Sequence, residues 1–362
     1  MLMVKGINKI APTVVESVVL PKLIRLNSNL YGAAFFLMKL LPARFILDRA
    51  RDAGLLHEGS VVIETTSGTF GLALAMLCKL RNYKLILVSD PAIDPPLQRR
   101  LEDLGTTVDI VREPSATGGF QQARLDRLAQ VQAAHPEHFC PAQYSNPHNP
   151  GAYAPFAELL TEAIGKIDCV VGTVGSGGSM CGTSLYLRLL FPHLRVIGVD
   201  THGSVIFGHP DQKRMLRGLG NSLMPPNVDH SAFDEIHWVD AAAGFTATRM
   251  LHQKHALYMG PTSGTAYLVA QWWAKQNPDA TVVVVLPDEG YRYQDTVYND
   301  AWLHERNLWL DNLPESPVRV DHPLEARSDE WTCMDWNRHT YEQVMGAPFS
   351  VGKNDEPVAR IR

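Results

Sequence analysis

Lys39 lies in an unusually apolar stretch of the chain. Alanine, phenylalanine, leucine and methionine precede it in residues 34–38, two leucines follow it, and the next charged side chain is that of Arg44. Burial disfavours the ammonium form and lowers the pKa of a lysine, which leaves an amine nucleophilic enough to form an imine with an aldehyde. The alternative is a lysine whose stem covers apolar surface while its head reaches water. This segment alone favours the alternative.

A glycine-rich segment follows a predicted strand that ends near Val174 and precedes a predicted helix. Its residues are Gly175, Ser176, Gly177, Gly178 and Ser179. Glycines let the backbone approach an anion closely, and the free amides and dipole at a helix N-terminus bind phosphate. The spacing is not GxGxxG and lacks a Walker lysine, so it favours one phosphomonoester over a dinucleotide or a triphosphate. In isolation, a plain glycine-rich turn explains the segment equally well.

Two more segments have the pattern of a strand-to-helix junction. Residues 65–71 read Thr-Thr-Ser-Gly-Thr-Phe-Gly, with hydroxyls and amides that could clasp a carboxylate, although a well-capped helix has the same residues. Residues 260–265 again place serine and glycine at the start of a helix. Since parallel strands end at the same edge of a sheet, three such junctions predict one shared cleft.

Two other features carry less weight. His252 and His255 have a helical spacing that could bind a metal, but no carboxylate or third histidine joins them nearby. We therefore favour surface histidines and predict no metal site. Asp288 follows Leu286 and Pro287 at a predicted strand end, where a site residue could lie, but an ordinary turn carboxylate explains it too.

Short β-branched runs alternate with helical patterns along most of the chain. The runs predict strands at 60–64, 84–88, 107–111, 167–171, 195–199 and 281–286, and the patterns predict helices at 70–80, 97–104, 120–134, 179–190 and 263–276. This rhythm is typical of an α/β fold with mostly parallel sheets covered by helices.

The Pro/Asn-rich stretch 141–150 is the candidate boundary between two lobes. We predict an N-terminal lobe of residues 1–145 that carries Lys39 and the loop 66–71. A C-terminal lobe of residues 146–305 carries the glycine-rich loop and Ser263. The βαβ pattern fades after about residue 305, so residues 306–362 are interpreted as an extension. We favour a partly ordered surface segment over a tail that wraps the body or contacts a partner.

Composition narrows the classes of function. The chain has 362 residues, with 45% apolar and 20% charged, which is typical of a globular protein. A net charge of -5 without a dense basic run argues against nucleic acid as a partner. The five cysteines are scattered, as expected for reduced thiols in a cytoplasmic protein, and no stretch predicts a secretory signal or a membrane span.

Together these segments resemble the cysteine synthase family, the fold-type-II pyridoxal-phosphate enzymes of β-replacement, from about residue 21 to 303. The resemblance implies a two-lobed fold similar to the tryptophan synthase β chain, with pyridoxal 5′-phosphate as cofactor and Lys39 as the Schiff-base lysine. It implies further cofactor contacts by Thr69, by the loop 175–179 and by Ser263, whose hydroxyl faces the pyridine nitrogen. The implied substrate contacts are Thr66, Ser67, Gly68, Phe70, Gln143 and Gly218.

Longer matching runs indicate a subfamily. They comprise Glu113-Pro114 with Gly118-Gly119, residues 200–208 and residues 290–302. The subfamily implies a reaction of O-phosphoserine with glutamate that yields a precursor of 2,3-diaminopropionate, a unit of siderophores and antibiotics. Departures from the family are Leu40 and Leu41 in place of Asp-Arg, and Thr69 in place of Asn.

The resemblance implies β-elimination and β-replacement on O-phosphoserine or O-acetylserine through an aminoacrylate, with an amino-acid amine such as glutamate as nucleophile. One alternative is a cysteine synthase that uses sulfide. Another is a non-catalytic relative that acts through partner binding, which the changes around Lys39 and Thr69 favour. The family also implies a homodimer, small amino-acid substrates and no membrane partner.

Overall fold

The computed structural model describes residues 10–66, 68–116 and 119–349. Within these ranges the chain alternates between strands and helices. The strands are β1 Lys22–Arg25, β2 Leu30–Ala34, β3 Val61–Thr65, β4 Lys84–Ser89, β5 Thr107–Ile110, β6 Cys169–Thr173, β7 Arg195–Asp200, β8 Glu235–Trp238, β9 Val282–Leu286, β10 Val318–Arg319 and β11 Thr332–Asp335.

The helices of the same ranges lie mainly between successive strands. They are α1 Val14–Val18, α2 Leu40–Asp52, α3 Thr69–Leu80, α4 Pro95–Asp103, α5 Gly119–Ala133, α6 His148–Gly151, α7 Ala154–Ile164, α8 Gly178–Leu190, α9 Ala241–His255, α10 Pro261–Gln276, α11 Asp300–Glu305 and α12 Tyr341–Met345. The six predicted strands match β3, β4, β5, β6, β7 and β9 to within two residues, and the five predicted helices match α3, α4, α5, α8 and α10 as closely.

Two sheets organise these elements. The smaller sheet has the order β3-β4-β5 and is parallel throughout. The larger sheet has the order β1-β2-β9-β6-β7-β8-β11-β10, and its strands from β2 to β8 are parallel. The predicted α/β fold of mostly parallel sheets covered by helices is therefore confirmed. The division into lobes at residue 145 stays a prediction. Strands β1 and β2, which come before residue 145 in the chain, belong to the larger sheet together with strands that follow it.

The central strands of the larger sheet are buried on both faces. Every residue of β6 and β9 is buried, including the run Val-Val-Val-Val-Leu of β9. Continuous apolar strands of this kind are expected where helices cover both faces of a parallel sheet. Helix α10 packs on β6 and β9, and α8 packs on β6 and β7, so these two helices begin at the same edge of the sheet.

The extension after residue 305 is part of the folded body as far as residue 349. Strand β11 pairs antiparallel with β8, and Trp331 and Trp336 are buried. The interpretation as a partly ordered surface segment is therefore wrong for 306–349. The strand is short and its flanks are polar, so the sequence did not show that it buries two indole rings against the sheet.

A buried polar cluster ties the extension to the sheet. His237 bonds through Nε2 to Glu235 Oε1 at 2.9 Å and through Nδ1 to Trp331 Nε1 at 3.0 Å. Arg195 lies 2.6 Å from the other oxygen of Glu235. Burial alone would raise the pKa of Glu235, but His237 and Arg195 outweigh it and lower the pKa to about 2. Cys333 lies close by, yet both ring nitrogens of His237 already have hydrogen-bond partners.

A helix that crosses a membrane needs about 20 predominantly apolar residues. Among the residues that the structure describes, no helix is both long and apolar enough to do so.

Candidate active site

Lys39 lies where the parallel strands of the larger sheet end. After β2, the amide of Phe35 donates to the carbonyl of Leu286, and that of Met38 donates to Pro287 at 2.8 Å. This segment therefore runs beside the end of β9, and Lys39 directly precedes α2. The carboxyl edge of a parallel sheet is the usual place for a ligand crevice.

A cavity of about 730 Å³ opens at this edge, a size typical of small-molecule sites. The three junctions of the sequence analysis meet there. Of the predicted site residues, those that line it are Lys39, Thr66, Gly68, Thr69, Phe70, Gln143, Gly175, Ser176, Ser179 and Gly218. The shared cleft expected from the junctions is thus present, although the role of each residue stays a prediction.

The amine of Lys39 is close to the glycine-rich loop. Its Nζ donates to Ser176 Oγ at 3.3 Å. Burial lowers the pKa of Lys39 from 10.5 to about 8. Leu40 and Leu41, which stand where the family has Asp-Arg, are buried and add apolar rather than charged surroundings. The side chain is therefore placed as a nucleophilic amine requires.

The glycine-rich loop requires glycine at two positions for steric reasons. Gly177 has φ of +83°, and a Cβ there would lie 2.5 Å from the carbonyl oxygen of Asn227. A Cβ on Gly178 would lie 2.1 Å from Asn149 Oδ1. The loop is therefore pressed against these two asparagines on one side, while Ser176 and Ser179 face the cavity at the start of α8.

Ser263 lies in the first turn of α10, next to Thr262, which lines the cavity. The residue is fully buried, and its Oγ has no hydrogen-bond partner among the described residues. A buried hydroxyl without a partner is costly, which makes it a good position for the polar atom of a ligand.

The loop before α3 presents free backbone amides. The amide of Gly68 donates to Thr66 Oγ1 at 3.1 Å, and the helix begins at Thr69. The first amides of a helix have no partner inside it, so those of Thr69 and Phe70 are available to an anion. Ser67, predicted to bind substrate, lies outside the described residues.

Glu64 holds Gln143 in position beside this loop. Its carboxylate accepts hydrogen bonds from the amides of Thr65 at 2.8 Å and Gln143 at 3.2 Å. Burial raises the pKa of Glu64 to about 7. Glu64 therefore connects the end of β3 with the Pro/Asn-rich stretch.

Several cavity residues were missed by sequence reasoning. Tyr293 donates to Asp288 Oδ2 at 2.9 Å, and burial raises the pKa of Asp288 to about 6. Asp288 was named in the sequence analysis beside the alternative of an ordinary turn carboxylate, whereas Asp90 was missed, although it too follows a strand end. The arginines of the cavity, Arg124, Arg214, Arg217 and Arg292, have no such signal because they lie in a helix and in loops.

The histidine pair of the sequence analysis takes no part in this cavity. His255 bonds to the hydroxyl of Tyr267 at 2.9 Å, and the ring of His252 packs against Tyr258 and Tyr298. Both are half-buried rather than surface residues, because the helix that carries them packs against α10 and the segment after β9.

Comparison with known proteins identifies the family of this chain. Residues 37–288, from just before Lys39 to Asp288, match the family model described as pyridoxal-phosphate dependent enzyme. The chain belongs to this family. Its members use pyridoxal phosphate, so the predicted cofactor is confirmed, and the chain is an enzyme of the predicted pyridoxal-phosphate class.

Individual relatives agree with the family. The chain is 33% identical over 268 residues to N-(2-amino-2-carboxyethyl)-L-glutamate synthase of Cupriavidus metallidurans. The aligned region covers 72% of this chain and 79% of that protein. It is also similar to the structure of a hydrogen sulfide-producing enzyme from Fusobacterium nucleatum, with 26% identity, a TM-score of 0.73 and coverage of 78% and 99%. The predicted resemblance to the cysteine synthase family and its subfamily is confirmed.

The fold also matches a more distant structure. This is the O-acetylserine dependent cystathionine β-synthase from Helicobacter pylori, with 24% identity and a TM-score of 0.74 over 81% of this chain and all of that one.

The residues of the cavity fit pyridoxal phosphate. The amine of Lys39, whose pKa is lowered to about 8, suits its aldehyde, and the start of α8 with its glycines suits its phosphate. The unpartnered Oγ of Ser263 suits its ring nitrogen. Thr69, at the start of α3, lines the same cavity and offers a hydroxyl where the family has an amide side chain.

Proposed function

We propose that this protein is a β-replacement enzyme of amino-acid metabolism. It joins the amine of an amino acid, first of all glutamate, to the three-carbon unit of O-phosphoserine or O-acetylserine, as a step toward 2,3-diaminopropionate. The name of the Cupriavidus relative supports this product. The observation that carries the proposal is Lys39, whose buried amine lies 3.3 Å from the glycine-rich loop at the cavity.

Pyridoxal phosphate, when bound, withdraws electrons from the Cα of the attached amino acid, which makes its proton acidic and lets the β-substituent leave. Lys39 Nζ would hold the cofactor through its aldehyde, and as a free amine Nζ would be the base that takes the Cα proton of the donor. Its lowered pKa keeps a useful fraction of Nζ unprotonated near neutral pH. The amides at the start of α3 orient the donor's carboxylate, with Gln143 and Gly218 completing this subsite.

Ser263 favours elimination over side reactions. Its neutral hydroxyl can donate a hydrogen bond to the ring nitrogen of the cofactor without protonating it. An unprotonated ring nitrogen limits the build-up of negative charge at Cα and disfavours transamination. A carboxylate at this position would hold a proton on the ring instead. The buried, unpartnered Oγ is the observation that supports this role.

The lining of the cavity favours a phosphorylated donor. Arg124 and Arg292 come from α5 and from the segment after β9, and both line the cavity. Guanidinium groups bind phosphate with paired, charge-assisted hydrogen bonds, whereas an acetyl ester brings no charge. We therefore place O-phosphoserine before O-acetylserine as the donor.

We further propose a cytoplasmic homodimer. Leu185, Leu189 and Leu190 of α8 expose apolar side chains, which are typical of surfaces that bind another protein. The five cysteines are all free, in keeping with a reducing compartment. Light scattering at several protein concentrations will test the dimer.

The proposed reaction is tested with the purified holoenzyme. Each donor is added alone while the cofactor spectrum and the release of phosphate or acetate are followed, and then glutamate or sulfide is supplied and the products are identified by mass spectrometry. We expect phosphate release from O-phosphoserine and a glutamate adduct. Lys39→Ala should lose the borohydride-sensitive chromophore, whereas Lys79→Ala, an exposed lysine of α3, should keep it.

The same assays decide between the alternatives. Cysteine formation from sulfide without a glutamate adduct would indicate a cysteine synthase. Bound cofactor without turnover of any donor would indicate a non-catalytic relative. A chromophore that survives in Lys39→Ala would contradict the role of Lys39 itself.

A further inference from the structure

The mouth of the cavity carries a concentration of positive charge. Its cationic side chains are Lys213 and four arginines, Arg124, Arg214, Arg217 and Arg292. Arg124 pairs with Asp90 at 3.2 Å, and Arg292 pairs with Asp94. A carboxylate of the chain therefore fixes each of these two guanidinium groups, which are assigned above to the donor's phosphate.

Three of the cations lie in one segment, residues 213–222, which we call the basic loop. Arg214 is held within it by Asp211 at 2.8 Å and Ser222 at 2.7 Å. Arg217 makes no hydrogen bond or ion pair with any residue in the described part of the chain. Its charge is thus available to a ligand.

The backbone around Arg217 is fixed beside the glycine-rich loop. Leu216 and Leu219 on either side of it are buried, and the amide of Gly220 donates to the carbonyl of Val174 at 2.8 Å. A Cβ on Gly175 would lie 3.2 Å from the carbonyl oxygen of Gly218. The side chain of Arg217 therefore extends from a rigid support and lines the cavity.

The surroundings of Arg217 favour an anion. Burial in the cavity wall lowers the pKa of Arg217, and the nearby cations Arg292, Arg124 and Arg214 lower it further. The carboxylate of Asp90 acts in the opposite direction but does not outweigh them. A carboxylate placed there would relieve the repulsion between these cations and form paired hydrogen bonds with the guanidinium. The two inner anion positions, at α8 and at α3, are assigned above to the cofactor phosphate and the donor carboxylate.

We propose that Arg217 binds the side-chain carboxylate of the incoming amino acid and thereby selects an acidic nucleophile. This inference rests on the proposed function, since it assumes that the second substrate is an amino-acid amine. Sulfide has no carboxylate and makes no use of Arg217. Glutamine, which lacks only the charge of glutamate, is the matched poor substrate.

The test compares Arg217→Gln and Arg217→Lys with the wild-type holoenzyme. Measurements are the donor-only rate of phosphate release from O-phosphoserine, and kcat/KM for glutamate, glutamine and sulfide. Arg99→Gln, an exposed arginine of α4 outside the cavity, is the control. Loss of a charged hydrogen-bonded contact predicts a fall of about 10- to 100-fold in kcat/KM for glutamate in Arg217→Gln.

Specificity provides the sharper readout. Arg217→Gln should lose the preference for glutamate over glutamine, while its donor-only rate and its sulfide activity stay within about twofold of the wild type. Arg217→Lys should retain part of the preference because it keeps a point charge. Arg99→Gln should behave as the wild type does.

Three results would overturn the inference. They are an unchanged preference for glutamate in Arg217→Gln, an equal loss with sulfide, or a loss confined to the donor step, which would assign Arg217 to the donor's phosphate. If the wild type uses no amino-acid amine at all, the proposed function fails together with the inference. If the wild type uses glutamate and Arg217→Gln uses it equally well, only the inference about Arg217 is refuted, and the proposed function stands.

Discussion

Lys39 should titrate near pH 8 in the apoprotein. The perturbation is pH itself, varied from about pH 6 to about pH 11, and the physical cause is burial, which lowers the pKa from 10.5 to about 8. At pH 7 this leaves about one amine in ten unprotonated, against about one in 3,000 for an unperturbed lysine. The buried amine is therefore about 300-fold richer in its reactive form.

The same shift has a consequence for stability. The difference between 10.5 and about 8 corresponds to roughly 3 kcal/mol. Because the unfolded chain binds this proton more tightly than the folded apoprotein does, the contribution to stability rises as pH increases from about 8 to 10.5. At neutral pH the charged form is disfavoured by burial, and the cofactor removes this cost by neutralising the amine.

Competitive labelling measures the titration directly. The apoprotein and a lysine model amide are labelled together with a trace of acetic anhydride at each pH, and the Lys39 peptide is quantified by mass spectrometry. The peptide of Lys39→Arg confirms the assignment. A midpoint at or above pH 10 would refute the reasoning, because it would mean that the ammonium group is as well solvated as in water.

Three further predictions concern stability. Gly178→Ala should lower the melting temperature in scanning fluorimetry and weaken cofactor retention, because its Cβ would lie 2.1 Å from Asn149 Oδ1. The control is Gly68→Ala, whose Cβ would meet nothing within 4 Å, so its melting temperature should equal that of the wild type. Burial raises the pKa of Glu64 from 4.5 to about 7, so the stability that its protonated form contributes is lost as pH rises through this window. Glu64→Gln does not titrate, so between pH 5 and pH 8 its free energy of unfolding in urea should fall by up to about 3 kcal/mol less than that of the wild type. An equal dependence of the unfolding free energy on pH in both proteins would contradict this. Trp336→Ala should cost about 3–5 kcal/mol in urea unfolding because the indole is fully buried, and a cost below about 1 kcal/mol would mean that the extension does not belong to the core.

Local sequence patterns account for the strands and helices that the analysis predicted correctly. Strand β9 is a run of valines and α3 an apolar helix that follows a glycine, and each has a clear period or length. The missed strands lack such patterns. Strand β8 contains Glu235 and His237, whose burial depends on Arg195 and Trp331 from elsewhere in the chain.

The sequence by itself predicted that the glycine-rich loop and two further serine-containing junctions would meet, and the family resemblance added the amine of Lys39. This followed because each has the residue pattern of a strand-to-helix junction, and parallel strands bring such junctions to one edge of a sheet. The segment around Lys39 alone favoured a lysine whose head reaches water, and the structure instead buries its amine.

Only the tertiary structure decided which charges share the cavity with that amine. Arg124, Arg217 and Arg292 come from a helix and two loops separated by many residues, and no local pattern relates them. Asp90 and Asp94 pair with two of them and fix their positions, while Arg217 has no such partner among the described residues. Such balance depends on distances in space, which residue spacing along the chain does not specify.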